Sequence, residues 1–225
     1  MQASTQVLSH VDGSSTVLSN GTKVMCSVSG PIEPKARQEL PTQLSLEIIV
    51  KPAEGVQSTR EKLVEDQVRA VLTPVLARYL HPRQLVQICF QVLEAGERVE
   101  YTVKEVSICV NAAILALIDA GVPMLSMGCG TSLGILRENG QIIVNPSFEQ
   151  LEQSESVHVC CLELGTGVEK NVEVRNVLLL DSVGSFSETQ LFQVLEAGEK
   201  ECIRLYTEMR QTAKEKVVRD FIWKG

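Results

Sequence analysis

Three polar tetrads set the frame on which this chain folds. Ser58 with Glu61, Thr102 with Glu105, and Ser187 with Gln190 each place a hydroxyl three residues ahead of a Glu or Gln. That is capping-box spacing: the hydroxyl caps an orphan helix N–H and the longer side chain reaches back. Each tetrad opens a helical periodicity. Positions 64, 68, 71, 72, 75, 76 and 79 follow the first, 106, 110, 113, 114, 117 and 118 the second, and 191, 195, 198, 202, 205, 206 and 209 the third. Each set predicts one buried helix face. Pro74 should kink or break the first helix. Gly121-Val122-Pro123 should end the second, which is predicted over Tyr101 to Ala120.

The segments between these helices read as strands. Ser15–Ser19 and Thr22–Ser29 flank Asn20-Gly21, a tight hairpin dipeptide, and Gly30-Pro31 should stop the second strand. Residues 31–42 and 51–57 read as loops. Over 43–50, Leu44, Leu46 and Ile48 alternate with Gln43, Ser45 and Glu47, which predicts one buried face. Further strands are predicted at 84–94, 125–137, 141–144, 156–164 and 170–181. The order is strands, helix, strand, helix, strands, helix, an α+β (mixed α/β) chain. Gln-Val-Leu-Glu-Ala-Gly-Glu occurs at 91–97 and again at 193–199. The flanks differ, so the first copy is read as strand into loop and the second as helix.

Composition narrows the function. The chain has 225 residues, 44% of them hydrophobic, and a net charge of −7. One large domain or two packed halves both fit that length. The balance argues against a free nucleic-acid binder held by bulk charge. Residues 1–84 nevertheless carry 9 basic against 8 acidic residues, and residues 85–225 carry 12 against 20. That asymmetry says where a phosphate-facing surface would be; Lys35, Arg37, Lys51, Arg60 and Arg69, in or near the loops there, read first as scattered surface charges and second as phosphate contacts. The seven Cys show no Cys-x-x-Cys and sit mostly in apolar runs, so they read as buried free thiols in a reducing compartment. No metal or cofactor motif occurs. There is no signal pattern, and the longest apolar run is Ala112 to Ile118, so the chain is expected to be soluble and intracellular.

Weak chemical motifs are set aside. Gly128-Cys129-Gly130-Thr131-Ser132 faintly suggests a phosphate loop but reads better as glycines allowing close packing or a bulge. His158 and Cys160 are expected on opposite strand faces. Glu149, Glu152 and Glu155 read as one solvated helical turn.

Longer segments carry a resemblance. His10-Val11-Asp12-Gly13-Ser14-Ser15, then Asn20-Gly21-Thr22-Lys23-Val24, then Cys26 to Pro31, is similar to the N-terminal hairpin of the RNase PH family. The strand ending Leu93-Glu94-Ala95-Gly96, the helix Val110 to Gly121, Asn145-Pro146-Ser147 and Leu178 to Ser182 follow in family order. The stretch Gly30 to Pro41 resembles the smallest RNase PH-like subunit type of the eukaryotic RNA exosome ring, in its fungal form. The resemblance implies an RNase PH-like fold, mixed sheets packed with three main helices. It implies a single domain over 1–225, in two packed halves that meet near 122–125.

The departures from the family pattern concern its active site. Active members hold phosphate with a Gly-Gly-Thr-Arg-like loop. Here the chain reads Gly96-Glu97-Arg98-Val99-Glu100-Tyr101-Thr102, two carboxylates that would repel phosphate, with Arg98 a poor replacement. The first of two family Asp aligns with Asn145, and the second falls at Leu151 or Glu152. The resemblance therefore implies a non-catalytic subunit without cofactor or metal, rather than an enzyme. The alternative is a residual phosphate-dependent 3′-to-5′ exoribonuclease using Glu152 and Arg98. Implied partners are other RNase PH-like subunits in a hetero-hexameric ring, RNA-binding cap subunits, a hydrolytic exoribonuclease subunit and RNA in the channel. The implied compartments are nucleus, nucleolus and cytoplasm. Lys35, Arg37 and Arg60 are the candidates for the RNA path, from charge and loop position.

Overall fold

Asn20 and Gly21, with φ of 45° and 85°, make the two-residue turn joining β2 (Gly13–Ser19) to β3 (Thr22–Ile32) in the computed structural model. The structure describes residues 1–166 and 172–221. Thr22, Val24, Cys26 and Val28 alternate inward along β3. The strand does not stop at Gly30-Pro31. Its register breaks between Ser29 and Ile32, because proline offers no N–H, and pairing resumes at Ile32 with Leu85. A further strand, β1 (Gln2–Thr5), pairs with β2; its polar sequence gave no alternation to read.

β4 (Ser45–Lys51) runs parallel to β5 (Leu85–Glu94), and α1 (Thr59–Val75) crosses between them. These strands form a mixed sheet in the order β1-β2-β3-β5-β4. The first capping box forms as predicted: Arg60 N donates to Ser58 Oγ at 3.2 Å, and Ser58 N to Glu61 Oε2 at 2.7 Å. Val64, Val68, Val71, Leu72 and Val75 are buried on one face. The helix ends one residue after Pro74. Tyr79, expected on the same face, lies instead in a single 3-10 turn (Arg78–Leu80) and is 64% exposed.

α2 (Val103–Ala120) departs from its predicted form twice. Thr102 makes no capping bond through its side chain. The expected single face is also wrong: every residue from Val103 to Leu117 is buried. The reason is placement. α1 and α2 lie between the first sheet and a second, antiparallel sheet in the order β7-β6-β8-β9. Its strands are β6 (Met127–Leu136), β7 (Ile142–Val144), β8 (Ser154–Thr166) and β9 (Val172–Gly184). Residues 170 and 171 of the predicted strand 170–181 fall outside the described residues.

Two glycines set the approach of α2 to both sheets. A Cβ on Gly13 would lie 2.3 Å from the Ala116 carbonyl oxygen, and one on Gly130 would lie 3.0 Å from that of Ser107. The glycine-rich stretch is thus close packing within β6. Asn111 completes the seam. Its side chain donates to Gly130 O at 2.8 Å and accepts from Gly130 N at 2.9 Å. β7 pairs only with Leu133 to Ile135, so Asn111 satisfies a stretch of β6 that β7 does not reach.

α4 (Glu188–Asp220) packs on the other side of the second sheet, capped by Ser187 and Gln190 as predicted. Val194, Gly198, Cys202, Leu205, Tyr206 and Met209 are buried. A Cβ on Gly198 would stand 3.3 Å from Cys160 Sγ. The repeated heptapeptide is strand and loop at 91–97 and helix at 193–199.

The helical turn expected around Glu149 is a short α3 (Phe148–Glu152), capped by Ser147 and Gln150. Glu149 and Glu152 lie on it, but Glu155 belongs to β8, so the three do not form one turn. His158 and Cys160 are two residues apart in β8 and share a face, contrary to expectation. The imidazole is held by Ser156 Oγ at 3.0 Å and Ser182 Oγ at 2.8 Å rather than by a thiol. All seven thiols are free, and six are buried. Burial pushes Cys160 up to about 11 and Cys129 up to about 12, so both stay protonated.

The Gly13 contact yields a test. Gly13→Ala should destabilise the protein by about 1–3 kcal/mol in urea unfolding, because its methyl meets the α2 backbone. Gly140→Ala should cost less, since nothing lies within 4 Å of the added methyl and the penalty is its φ of 63°.

Candidate functional site

The first turn of a helix leaves N–H groups without partners, and burying such an end demands an internal acceptor. At the start of α2 that acceptor is Glu97. Its Oε2 accepts from Lys104 N at 3.1 Å and its Oε1 from Glu105 N at 2.9 Å. The Glu97 side chain has no solvent exposure. A helix N-terminus is a natural oxyanion position. Here the chain's own carboxylate occupies it.

Arg60 organises the surrounding charge. It sits in the first turn of α1, with its side chain 14% exposed. Nη1 lies 2.8 Å from Glu105 Oε2 and 3.2 Å from Glu61 Oε1. Nη2 lies 4.0 Å from Glu97 Oε1 and donates to Tyr101 O at 2.6 Å. Glu105 was read as the reaching-back residue of a capping box; this guanidinium draws it away instead. Burial would lower the Arg60 pKa, but its bonds and charges with Glu105, Glu61 and Glu97 outweigh that and raise it. For Glu97 burial wins. It pushes the carboxyl up to about 7, against the two backbone bonds and Arg60. Lys104 is lowered by burial, and its Nζ donates to Asn20 O at 2.7 Å and Gly96 O at 3.0 Å.

The positions expected to mark a degenerate active site, Arg98, Asn145, Leu151 and Glu152, lie in distinct environments. Arg98 pairs with Glu152, and its guanidinium lies 5.9 Å from the centre of the Phe148 ring. The structure thus brings together the two groups a remnant site would need, paired to each other. Leu151 is core, 1% exposed. Asn145 has a φ of 50° and donates through Nδ2 to Glu201 Oε1 at 3.1 Å. Its carbonyl accepts from Asn20 Nδ2, which ties the β2–β3 turn to the loop before α3.

The three RNA-path candidates also separate. Lys35 and Arg37 are exposed in the loop after β3, where Gln38 N closes a turn on Lys35 O at 2.8 Å. Among the described residues neither makes an ion pair, whereas the Arg60 guanidinium is committed to the carboxylates around it. Sequence reasoning identified Glu97 as a charge hostile to phosphate but missed that it folds inward onto the first N–H groups of α2. The signal was an acidic residue shortly before a helix that is largely apolar from Val106 onward.

Arg60 and Arg98 should therefore behave differently on truncation. Arg60→Ala strands buried carboxylates and should lower unfolding stability by about 3–5 kcal/mol. Arg98→Ala removes an exposed pair and should change it by less than about 1 kcal/mol. Parallel denaturant titrations check both.

Comparison with known proteins fits this geometry. A model of the 3′ exoribonuclease family, domain 1 (RNase PH), matches residues 1–123. The chain is 53% identical over 218 residues to the exosome complex component RRP46 of Saccharomyces cerevisiae, covering 96% of each. It is 28% identical over 193 residues to the Schizosaccharomyces pombe component rrp46, covering 85% of this chain and 80% of that one. The crystal structure of rice (Oryza sativa) Rrp46 superposes with a TM-score of 0.82 at 22% identity, over 95% of this chain and 93% of that one, a likeness of fold. With more than half its length matched by the family model and a relative this similar from end to end, the chain belongs to the RNase PH family.

Proposed function

We propose that this chain is a non-catalytic ring subunit of an RNA exosome, serving 3′-to-5′ RNA processing and degradation as part of the channel wall. The observation that carries the proposal is the Glu97 carboxylate on the N–H groups of Lys104 and Glu105. Phosphorolysis needs inorganic phosphate as the nucleophile, held by N–H donors and a cation. A buried acid in that position excludes the phosphate sterically and, when ionised, electrostatically. Asn145 cannot supply the charge of an Asp, and Arg98 and Glu152 neutralise each other. The 53% identity to the yeast component supports ring membership.

On this reading the chain is one domain of two packed halves. It pairs with another RNase PH-like subunit and completes a six-membered ring, with RNA-binding cap subunits on one face and a hydrolytic exoribonuclease on the other. It works wherever that assembly works, in nucleus, nucleolus and cytoplasm. We assign Lys35 and Arg37 to the RNA path and Arg60 to the internal carboxylate cluster.

Two experiments test this. Gentle affinity purification with native mass measurement should return a complex of several different RNase PH-like chains with cap subunits. A lone chain or homo-oligomer would reject ring membership. The purified subunit, given RNA, phosphate and magnesium, should release no nucleoside diphosphate; release would establish the residual enzyme instead. Within the assembled ring, Lys35→Ala with Arg37→Ala should weaken RNA binding and flatten the log–log salt slope by roughly 1–1.5, the loss of about two phosphate contacts on a single strand. An unchanged slope would remove both from the path.

A further inference from the structure

β1 is an edge strand, with only β2 beside it in the first sheet. Gln6 N donates to Ser14 O at 3.0 Å, and the pairs Thr5↔Ser15 and Ser4↔Thr16 run on from that bond. Antiparallel ladders alternate, so Gln2 and Ser4 direct their N–H and C=O to β2, while those of Ala3 and Thr5 point away from it. Among the described residues no group bonds these outward N–H and C=O groups, although both residues are half-buried.

The C-terminal half of α4 lies along this edge. Two adjoining cavities, of about 620 and 360 Å³, lie between strand and helix and share Ala3 and Thr212. Residues from both faces of β1 line them, Gln2 and Ser4 as well as Ala3 and Thr5, so they follow its edge rather than one face. The helix is fixed at the far end of this groove. Gln6 Nε2 donates to Asp220 Oδ2 at 2.9 Å, Arg219 Nη2 to Gln6 Oε1 at 2.7 Å, and Lys216 Nζ to Asp119 O at 3.0 Å. The groove shares no lining residue with the cleft of about 560 Å³ that Arg60 and Glu97 border.

We propose that this groove is a strand-addition site: an extended segment of a partner protein pairs with the open edge of β1, adds a strand to the five-stranded sheet and lies along α4. The open backbone groups call for an extended chain, which presents N–H and C=O at the spacing of Ala3 and Thr5. Charge specifies its side chains. Lys216 pairs with Asp119, Arg219 with Asp220 and Glu208 with Arg204. Glu215 accepts from Gln211 Nε2 at 2.9 Å but forms no ion pair among the described residues. The segment is therefore uncharged except for one Lys or Arg set against Glu215. Val218, on the same side of α4 as Gln211 and Glu215, is 77% exposed, and an apolar residue of the segment covers it. Because the helix is already fixed beside the edge, little ordering opposes binding. The site is independent of ring membership.

The full chain, panned against a displayed library of random linear peptides, tests this. Selected peptides should carry one Lys or Arg among uncharged residues, and on binding should protect the Ala3 and Thr5 amides from hydrogen exchange. Thr5→Pro deletes an outward N–H that β2 does not use, so it should keep the wild-type urea midpoint and weaken peptide binding about tenfold. Glu215→Gln should weaken it about two- to fivefold. The exchange readout on the wild-type chain needs no variant. Failure to select any peptide would overturn the site, as would bound peptides that leave Ala3 and Thr5 exchanging freely or binding untouched by Thr5→Pro. A dimer of this chain that protects both amides without peptide would also overturn it, by making a second copy the occupant.

Discussion

Helix α2 is buried between two sheets, and most of what distinguishes this molecule follows from that placement. A helix covered on all sides needs small neighbours at its closest contacts, which Gly13 and Gly130 provide. It also needs every polar group in its path satisfied, which Asn111 does for Gly130 of β6. Its N-terminus is the hardest point, since the unpaired N–H groups there carry partial positive charge. A family member that binds phosphate can let its ligand meet that charge. This chain meets it with Glu97, and the Glu97 carboxylate then requires Arg60 nearby.

Other polar groups near the start of α2 are likewise bound within the fold. Lys104 turns its ammonium onto the carbonyls of Asn20 and Gly96. Asn145 joins Asn20 to Glu201. These bonds tie one element of the fold to another. The buried charges around Arg60 are thus answered mainly by other groups of the chain itself.

Much of the fold was legible because its signals are local. Asn20-Gly21 dictates a hairpin through backbone sterics, and Ser58 and Ser187 form their capping boxes as the spacing predicts. Thr102 fails because Glu105 answers to Arg60 on α1, 45 residues away in sequence. The α2 stripe was drawn too narrow because periodicity records one apolar face, while the second sheet covers the small residues opposite. β1 went unseen because its pairing with β2, rather than alternation, makes it a strand. The site was half legible. The hostility of the 96–102 loop to phosphate was plain from its carboxylates. That one of them would fold inward onto the N–H groups of Lys104 and Glu105 depends on tertiary geometry, as does the withdrawal of Arg60 from the surface.

The most direct test of this account is an experimental structure of the protein at neutral pH in the presence of saturating inorganic phosphate. The account predicts the Glu97 carboxylate within hydrogen-bond distance of Lys104 N and Glu105 N, with no phosphate at the start of α2. Phosphate bound to those two N–H groups, with Glu97 swung out into the cleft, would contradict it.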